Sequence, residues 1–219
     1  TDCERRCAGR AGNETEGMMT SFGRRLAGIL LCAGLLAGSP AAAKDSPFPF
    51  PIGGPFTLSD HAGKQVTDQE FRGRYMLIYF GYTYCPDICP TNLQVMGTAL
   101  ESLGTKDAAA EAKVTPVFIT VDPKRDKGEL LKEYVANFHP RMIGLRGDKA
   151  QTKAVTDAYR IHAMKVVPEG YEPEDYLVSH SSIIFLMGPD GNLVTLFPHD
   201  TTPERMTAVL HKYLSGEAS

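Results

Sequence analysis

Residues 75 to 82 read YMLIYFGY, an aliphatic and aromatic run without a charged residue. A strand with one wet face alternates apolar with polar side chains, so an unbroken run suits a strand buried on both faces. Such a strand needs a covering layer above and below it, which points to an α/β architecture. VTPVFITVD, from Val114 to Asp122, reads as a second strand of the same kind. Between the two, Leu93, Met96, Leu100 and Leu103 recur at helical spacing.

The remaining pattern fills in around this pair. PFTLSD and KQVT suit short strands in a hairpin around His61 to Gly63. Asp126 is placed to cap a helix through Leu130, Leu131, Tyr134, Val135 and Phe138, ended by His139-Pro140. MIGLRGD reads as a short strand leading into a helix from Lys149 to Tyr159. Ser182 to Met187 turns through Gly188-Pro189-Asp190-Gly191 into NLVTLF as an antiparallel pair, and a helix from Pro203 to Leu214 closes the chain. This order predicts a thioredoxin-like α/β fold with extra N-terminal strands and an inserted helix. In that layout the segment after the first long core strand is the active loop.

That segment holds Cys85 and Cys89, with three residues between them, in YCPDICP. If it coils as a helical turn, the two backbones are separated by about 6 Å with both sulfurs on one side. The distance is compatible with a disulfide and with two ligands on one ion. Pro86 pushes Cys85 toward an extended or turn conformation, while Pro90 is acceptable in a first helical turn. Cys89 is therefore expected to start the helix, where orphan amides favour thiolate, with Asp87 opposing that bias.

A third ligand would favour metal over exchange, because two thiolates and an imidazole make a compact site for Cu(I), for distorted Cu(II) or for Zn(II). His180, in DYLVSHSSIIFLM, immediately precedes a core strand and falls on the end of the sheet where the cysteine loop should lie. Thioredoxins carry a cis proline there; this chain carries His180. A polar turn residue would be its bland role, and the paired cysteines favour ligation instead. His61, His139, His162, His199 and His211 read as solvated residues of turns, helix ends or exposed faces. Met96, Met164 and Met187 read as core packing.

Upstream, residues 22 to 46 show a basic pair at Arg24-Arg25, an apolar run from Leu26 to Ala37, a Ser-Pro break, and Ala41 and Ala43 at signal-peptidase spacing. The run is shorter than the about 20 residues a spanning helix needs, so cleavage after Ala43 is expected, with an uncleaved anchor as the alternative. Leu31 argues against lipid attachment at Cys32, and the residues after Arg25 argue against twin-arginine export. The domain reading is a non-native or over-called extension at 1–17, a signal peptide or membrane anchor at 18–43, a Pro/Gly-rich linker at 44–56 and the folded domain at 57–219. Cys3, Cys7 and Cys32 precede residue 44, which leaves Cys85 and Cys89 to pair, bind metal or react in an oxidising compartment. A length of 219 residues with a net charge of −3 fits one domain plus extensions and gives no footprint for nucleic acid.

GYTYCPDICP, TVDPKRD (Thr120 to Asp126), RMIGLRGD and EDYLVSHSSIIFLMGPDG (Glu174 to Gly191) together resemble the Sco/SenC (PrrC-like) copper-delivery proteins, which serve assembly of the binuclear copper A centre of cytochrome c oxidase. The resemblance implies one copper, Cu(I) or Cu(II), held by Cys85, Cys89 and His180, with Asp122 matching a family acid near the loop. It implies as partners the oxidase's copper A subunit or an upstream copper chaperone, and a thioredoxin-like reductant to open a Cys85–Cys89 disulfide. The location implied is the bacterial periplasm, soluble or held at the inner membrane by the N-terminal segment; the family's membrane-spanning helix is longer than the run here.

Two readings of different class follow. In the first the chain is a metallochaperone and not an enzyme. In the second it is an exported thiol-disulfide oxidoreductase or redox sensor, with Cys85 attacking and Cys89 resolving. The three-residue spacing and the absence of the proline before Ser182 weigh against the second. A peroxidase is disfavoured further, since Thr83 stands two residues before Cys85 instead of three.

Overall fold

The computed structural model describes residues 50–216. The extension, the signal segment and the start of the linker lie outside them. In chain order the elements are β1 (Thr57–Ser59), β2 (Gln65–Thr67), a 3-10 turn (Asp68–Phe71), β3 (Tyr75–Gly81), α1 (Ile88–Lys106), α2 (Ala108–Glu111), β4 (Val114–Thr120), α3 (Gly128–Ala136), β5 (Ile143–Leu145), α4 (Lys149–Ala158), β6 (Ala163–Val166), β7 (Leu177–His180), β8 (Ile183–Met187), β9 (Leu193–Pro198) and α5 (Pro203–Leu214).

Five strands form the central sheet in the order β5-β4-β3-β8-β9. β3 is its middle strand, parallel to β4 from Tyr75↔Val114 to Gly81↔Thr120 and antiparallel to β8 from Met76↔Met187 to Tyr79↔Ile184. Leu77 and Tyr79 join one core cluster with residues of α1, α3 and α5, while Met76, Ile78 and Phe80 join a second with residues of β1, β2 and α4. Strand alternation thus sends successive side chains into two dry layers, which is why this run has no polar face. The thioredoxin-like arrangement follows, with β1 and β2 as the extra N-terminal hairpin and α4 as the inserted helix, flanked by β5 and a further hairpin.

That further hairpin, β6–β7, was not expected. Its register runs from Ala163↔His180 to Val166↔Leu177, and it stands as a two-stranded sheet apart from the central one. All of β6 is exposed, so its sequence carries no burial periodicity. Asp126 is a second difference. It does not cap α3, whose N-cap is Lys127; it is fully buried and turned toward the cysteine loop. Packing also begins before residue 57, since Phe56 is buried against Phe71 and the Gly53 amide donates to Ala158 O.

Candidate metal centre

β3 delivers the chain to the sheet's C-terminal edge at Gly81, and a turn follows in which the Cys85 amide donates to Tyr82 O. α1 starts at Ile88 with Asp87 as N-cap, so Cys89 lies in its first turn. Pro86 keeps Cys85 outside the helix, and the Cys89 amide donates to Cys85 Sγ at 3.4 Å. Cys89 is fully buried and Cys85 nearly so; both are free thiols. Gly81 makes room for this: a Cβ there would stand 2.8 Å from Cys89 Sγ.

His180 ends β7, and its Nε2 lies 3.1 Å from Cys89 Sγ. Its Nδ1 lies 3.1 Å from Ser181 O. A carbonyl only accepts, so Nδ1 carries the proton and the Nε2 lone pair faces the sulfur. Tyr79 and Tyr82 hold the imidazole edge-on, with centroids at 6.2 and 5.8 Å. The ligand atoms of Cys85, Cys89 and His180 all lie within 4.8 Å of one another, and among the described residues no other group of three His, Cys, Asp or Glu side chains converges in this way. Two sulfurs and a neutral imidazole suit a soft or borderline cation such as copper or zinc.

The two thiols divide one proton unequally. A hydrogen bond from the Cys89 thiol pulls Cys85 down to about 4, with the amides of Asp87 and Cys89 assisting against the cost of burial. The same bond, together with burial, pushes Cys89 up. The thiolate expected at Cys89 thus falls instead on Cys85, because the amide donors at the start of α1 point at the Cys85 sulfur.

Two acids support the loop from the β4–α3 connection. Asp126 accepts from the Thr83 amide at 3.1 Å, from Thr83 Oγ1 at 2.6 Å and from Thr120 Oγ1. Burial raises its pKa against these three donors. Asp122, the acid singled out in the sequence, is not one of the three clustered residues. It accepts from Tyr176 Oη at 2.9 Å and from Arg125 Nε, while Arg125 Nη1 donates to Tyr176 O at 2.8 Å. Arg125 also stacks on Tyr82, Tyr84 and Tyr176. Asp122 thus ties the loop end of the β6–β7 hairpin, where the strand bearing His180 begins, to the sheet edge.

Sequence reasoning missed Asp126, Arg125 and Tyr176 as supports; the charged run DPKRD, Asp122 to Asp126, close after a buried strand was the available signal. His139 is also unlike its expected solvated state. It is buried, its Nδ1 accepts from the Arg141 amide, and Nε2 stands 3.7 Å from Glu111. Met96 and Met187 are core residues as expected, but Met164 is 53% exposed.

A family model described as SCO1/SenC matches residues 44–215. The protein sco1 of Schizosaccharomyces pombe is 37% identical over 164 residues, 74% of this chain and 60% of that relative. The chain spans about half the length of the human and Arabidopsis thaliana mitochondrial SCO1 homologs, 47% and 45%. Among solved structures, Arabidopsis thaliana ScoI with copper bound aligns with a TM-score of 0.68 at 38% identity, covering 75% of this chain and 99% of that one. Bradyrhizobium japonicum ScoI with copper bound aligns with a TM-score of 0.66 at 42% identity, covering 74% and 99%.

Proposed function

The chain belongs to the SCO1/SenC family, and from that premise we propose that it is a copper carrier that delivers the ion to the binuclear copper A site of cytochrome c oxidase during assembly. The observation that carries this reading is the convergence of Cys85, Cys89 and His180 within 4.8 Å. The copper bound in the Arabidopsis and Bradyrhizobium relatives supports the choice of ion. Cys85 and Cys89 hold one Cu(I) as thiolates, and His180 completes a three-coordinate site or helps retain Cu(II). Binding Cu(I) displaces the proton that Cys89 keeps in the free protein. The acceptor is the oxidase's copper A subunit, and the ion passes to it by ligand exchange at the sheet edge. Its setting is outside the cytoplasm; among the described residues no helix is long and apolar enough to cross a membrane.

Titrating the reduced protein with copper beside His180→Ala and the double variant Cys85→Ala/Cys89→Ala tests the reading. The wild type should take up about one ion, and thiolate-to-Cu(II) charge-transfer absorption should weaken in His180→Ala. Stoichiometric binding that survives loss of both cysteines would sink it.

A second reading, thiol-disulfide exchange, is favoured by the depressed Cys85 thiol, which suits an attacking sulfur. The two roles couple, because a Cys85–Cys89 disulfide has no thiolate to offer copper and a thioredoxin-like reductant would restore loading.

A further inference from the structure

Exposed large apolar side chains are Phe50, Tyr84, Met164, Val166, Val167, Tyr171 and Leu177. Apart from Phe50, they sit either on the cysteine loop or on the β6–β7 hairpin and its connecting loop. Surface apolar residues gathered in one place mark an interaction site more often than an accident of folding.

The hairpin's register divides its residues between two faces. Directly opposed residues of an antiparallel pair point the same way, and successive residues along a strand point oppositely. Val178 and His180, with their partners Lys165 and Ala163, share the face turned to the cysteines, where Val178 is buried in the core. Leu177 and Ser179, with their partners Val166 and Met164, share the opposite face. That outer face therefore carries Met164, Val166 and Leu177 in solvent at 53%, 38% and 41% exposure. Tyr84 borders the same region, because it and Tyr176, the residue before Leu177, both stack on Arg125, at 4.9 and 3.7 Å.

The loop joining the strands, residues 167 to 176, contains Glu169, Glu172, Glu174 and Asp175 and no lysine or arginine. Its acids are exposed, and Glu174 alone of them is drawn to a cation in an ion pair, with Lys124. A second copy of the chain docked by a two-fold contact would bring two such loops together, and an anionic lipid surface would be repelled by them. A polypeptide with apolar side chains inside a basic rim meets both requirements.

We propose that the outer face of the β6–β7 hairpin is the docking surface for the protein that receives the copper, and that this acceptor presents aliphatic or aromatic side chains flanked by lysine or arginine. The proposal rests on the delivery reading for the identity of the partner. Docking there seats the acceptor on the strand that holds His180, beside Tyr84 of the cysteine loop.

The test uses the reduced, copper-loaded full chain and the apo form of the soluble copper A domain of the oxidase subunit. Val166→Asp/Leu177→Asp charges the outer face, and Glu169→Lys/Glu172→Lys reverses the loop. The amides of Met164, Val166 and Leu177 should shift on titration with the domain. The aspartate variant should bind and transfer about tenfold more slowly or weakly, with copper affinity by chelator competition unchanged. The lysine variant should associate more slowly and lose its salt dependence. Wild-type levels of binding and transfer in both variants would overturn the surface and spare the delivery reading. A wild-type dimer in sedimentation, or adsorption to anionic vesicles, abolished by the aspartate pair would also overturn it, in favour of those occupants. Binding through the hairpin without copper transfer would uphold the surface and sink delivery; absence of binding by the wild type would sink both.

Discussion

Cys89 Sγ and His180 Nε2 stand 3.1 Å apart, although 91 positions separate them in the chain. Cys89 comes from the start of a helix that follows the sheet's middle strand, and His180 from the end of a hairpin outside that sheet. Their contact is the seam of the site, held on one side by the helix packed on the sheet and on the other by the hairpin.

Gly81→Ala tests the room beneath the sulfur. Its Cβ would stand 2.8 Å from Cys89 Sγ, 3.0 Å from the Phe118 ring and 3.1 Å from the Tyr79 ring, so Cys89 must move. The expected cost is about 1–3 kcal/mol of overpacking, with a weakened copper affinity. Thermal unfolding and chelator competition measure the two; an unchanged affinity would show that Cys89 has slack.

Asp126→Ala removes the acceptor of the Thr83 amide and of the Thr83 and Thr120 hydroxyls. Unpaired buried donors should cost about 2–4 kcal/mol, and the loosened loop should let Cys85 be alkylated faster in the folded protein. Burial raises the Asp126 pKa, so its protonated form is the one the fold favours. That contribution is fully present below the unfolded carboxylate value and is lost as pH rises through the raised folded one. Denaturant titrations of wild type against Asp126→Asn should show a difference that shrinks with rising pH over that window.

The Cys85 thiol, held near 4, should react with iodoacetamide at a rate nearly flat from neutrality down to about pH 5, then fall as pH drops through about 4. In Cys89→Ala the donor is gone, and the fall should move upward toward the ordinary thiol range. Mass spectrometry of the labelled peptide gives the rates. A wild-type rate that climbs steeply up to pH 8 would contradict the assignment of thiolate to Cys85.

His139 has a lowered pKa because burial outweighs its acidic neighbours, Glu101 among them, and Glu111 is already engaged by Arg141. A lowered folded value means stability that is present above the unfolded histidine value, about 6.5, and is lost as pH falls below it. His139→Gln should flatten that part of the stability curve, measured by urea midpoints from pH 7 to 5. An unchanged slope would place the charge sensitivity elsewhere.

The parts of the fold that sequence made legible are those whose burial leaves a periodicity. β3 and β4 lack a polar face because both their faces are covered. His180 was legible for a chemical reason, as an imidazole in front of a strand whose neighbouring loop carries paired thiols. Asp126 was misread because an acid ahead of a helix looks like a cap, and its true partner Thr83 lies 43 residues away. The β6 strand was invisible because nothing covers it. The thiolate was expected at Cys89 from the position of that residue at a helix start, and the hydrogen bond its thiol gives to Cys85, with burial, reverses that.

The β6–β7 hairpin is a separate sheet from the one that carries the cysteine loop. The site is therefore a grip whose two jaws come from separate sheets. Both sulfurs are set in the dry interior, so their positions change only if the core does. The nitrogen rides on two short strands tethered at their loop end by Asp122, Arg125 and Tyr176. Drawing that small piece away would pull Val178 and Tyr176 out of the core they share with the helices, so surrendering the nitrogen ligand costs packing as well as a bond to the ion.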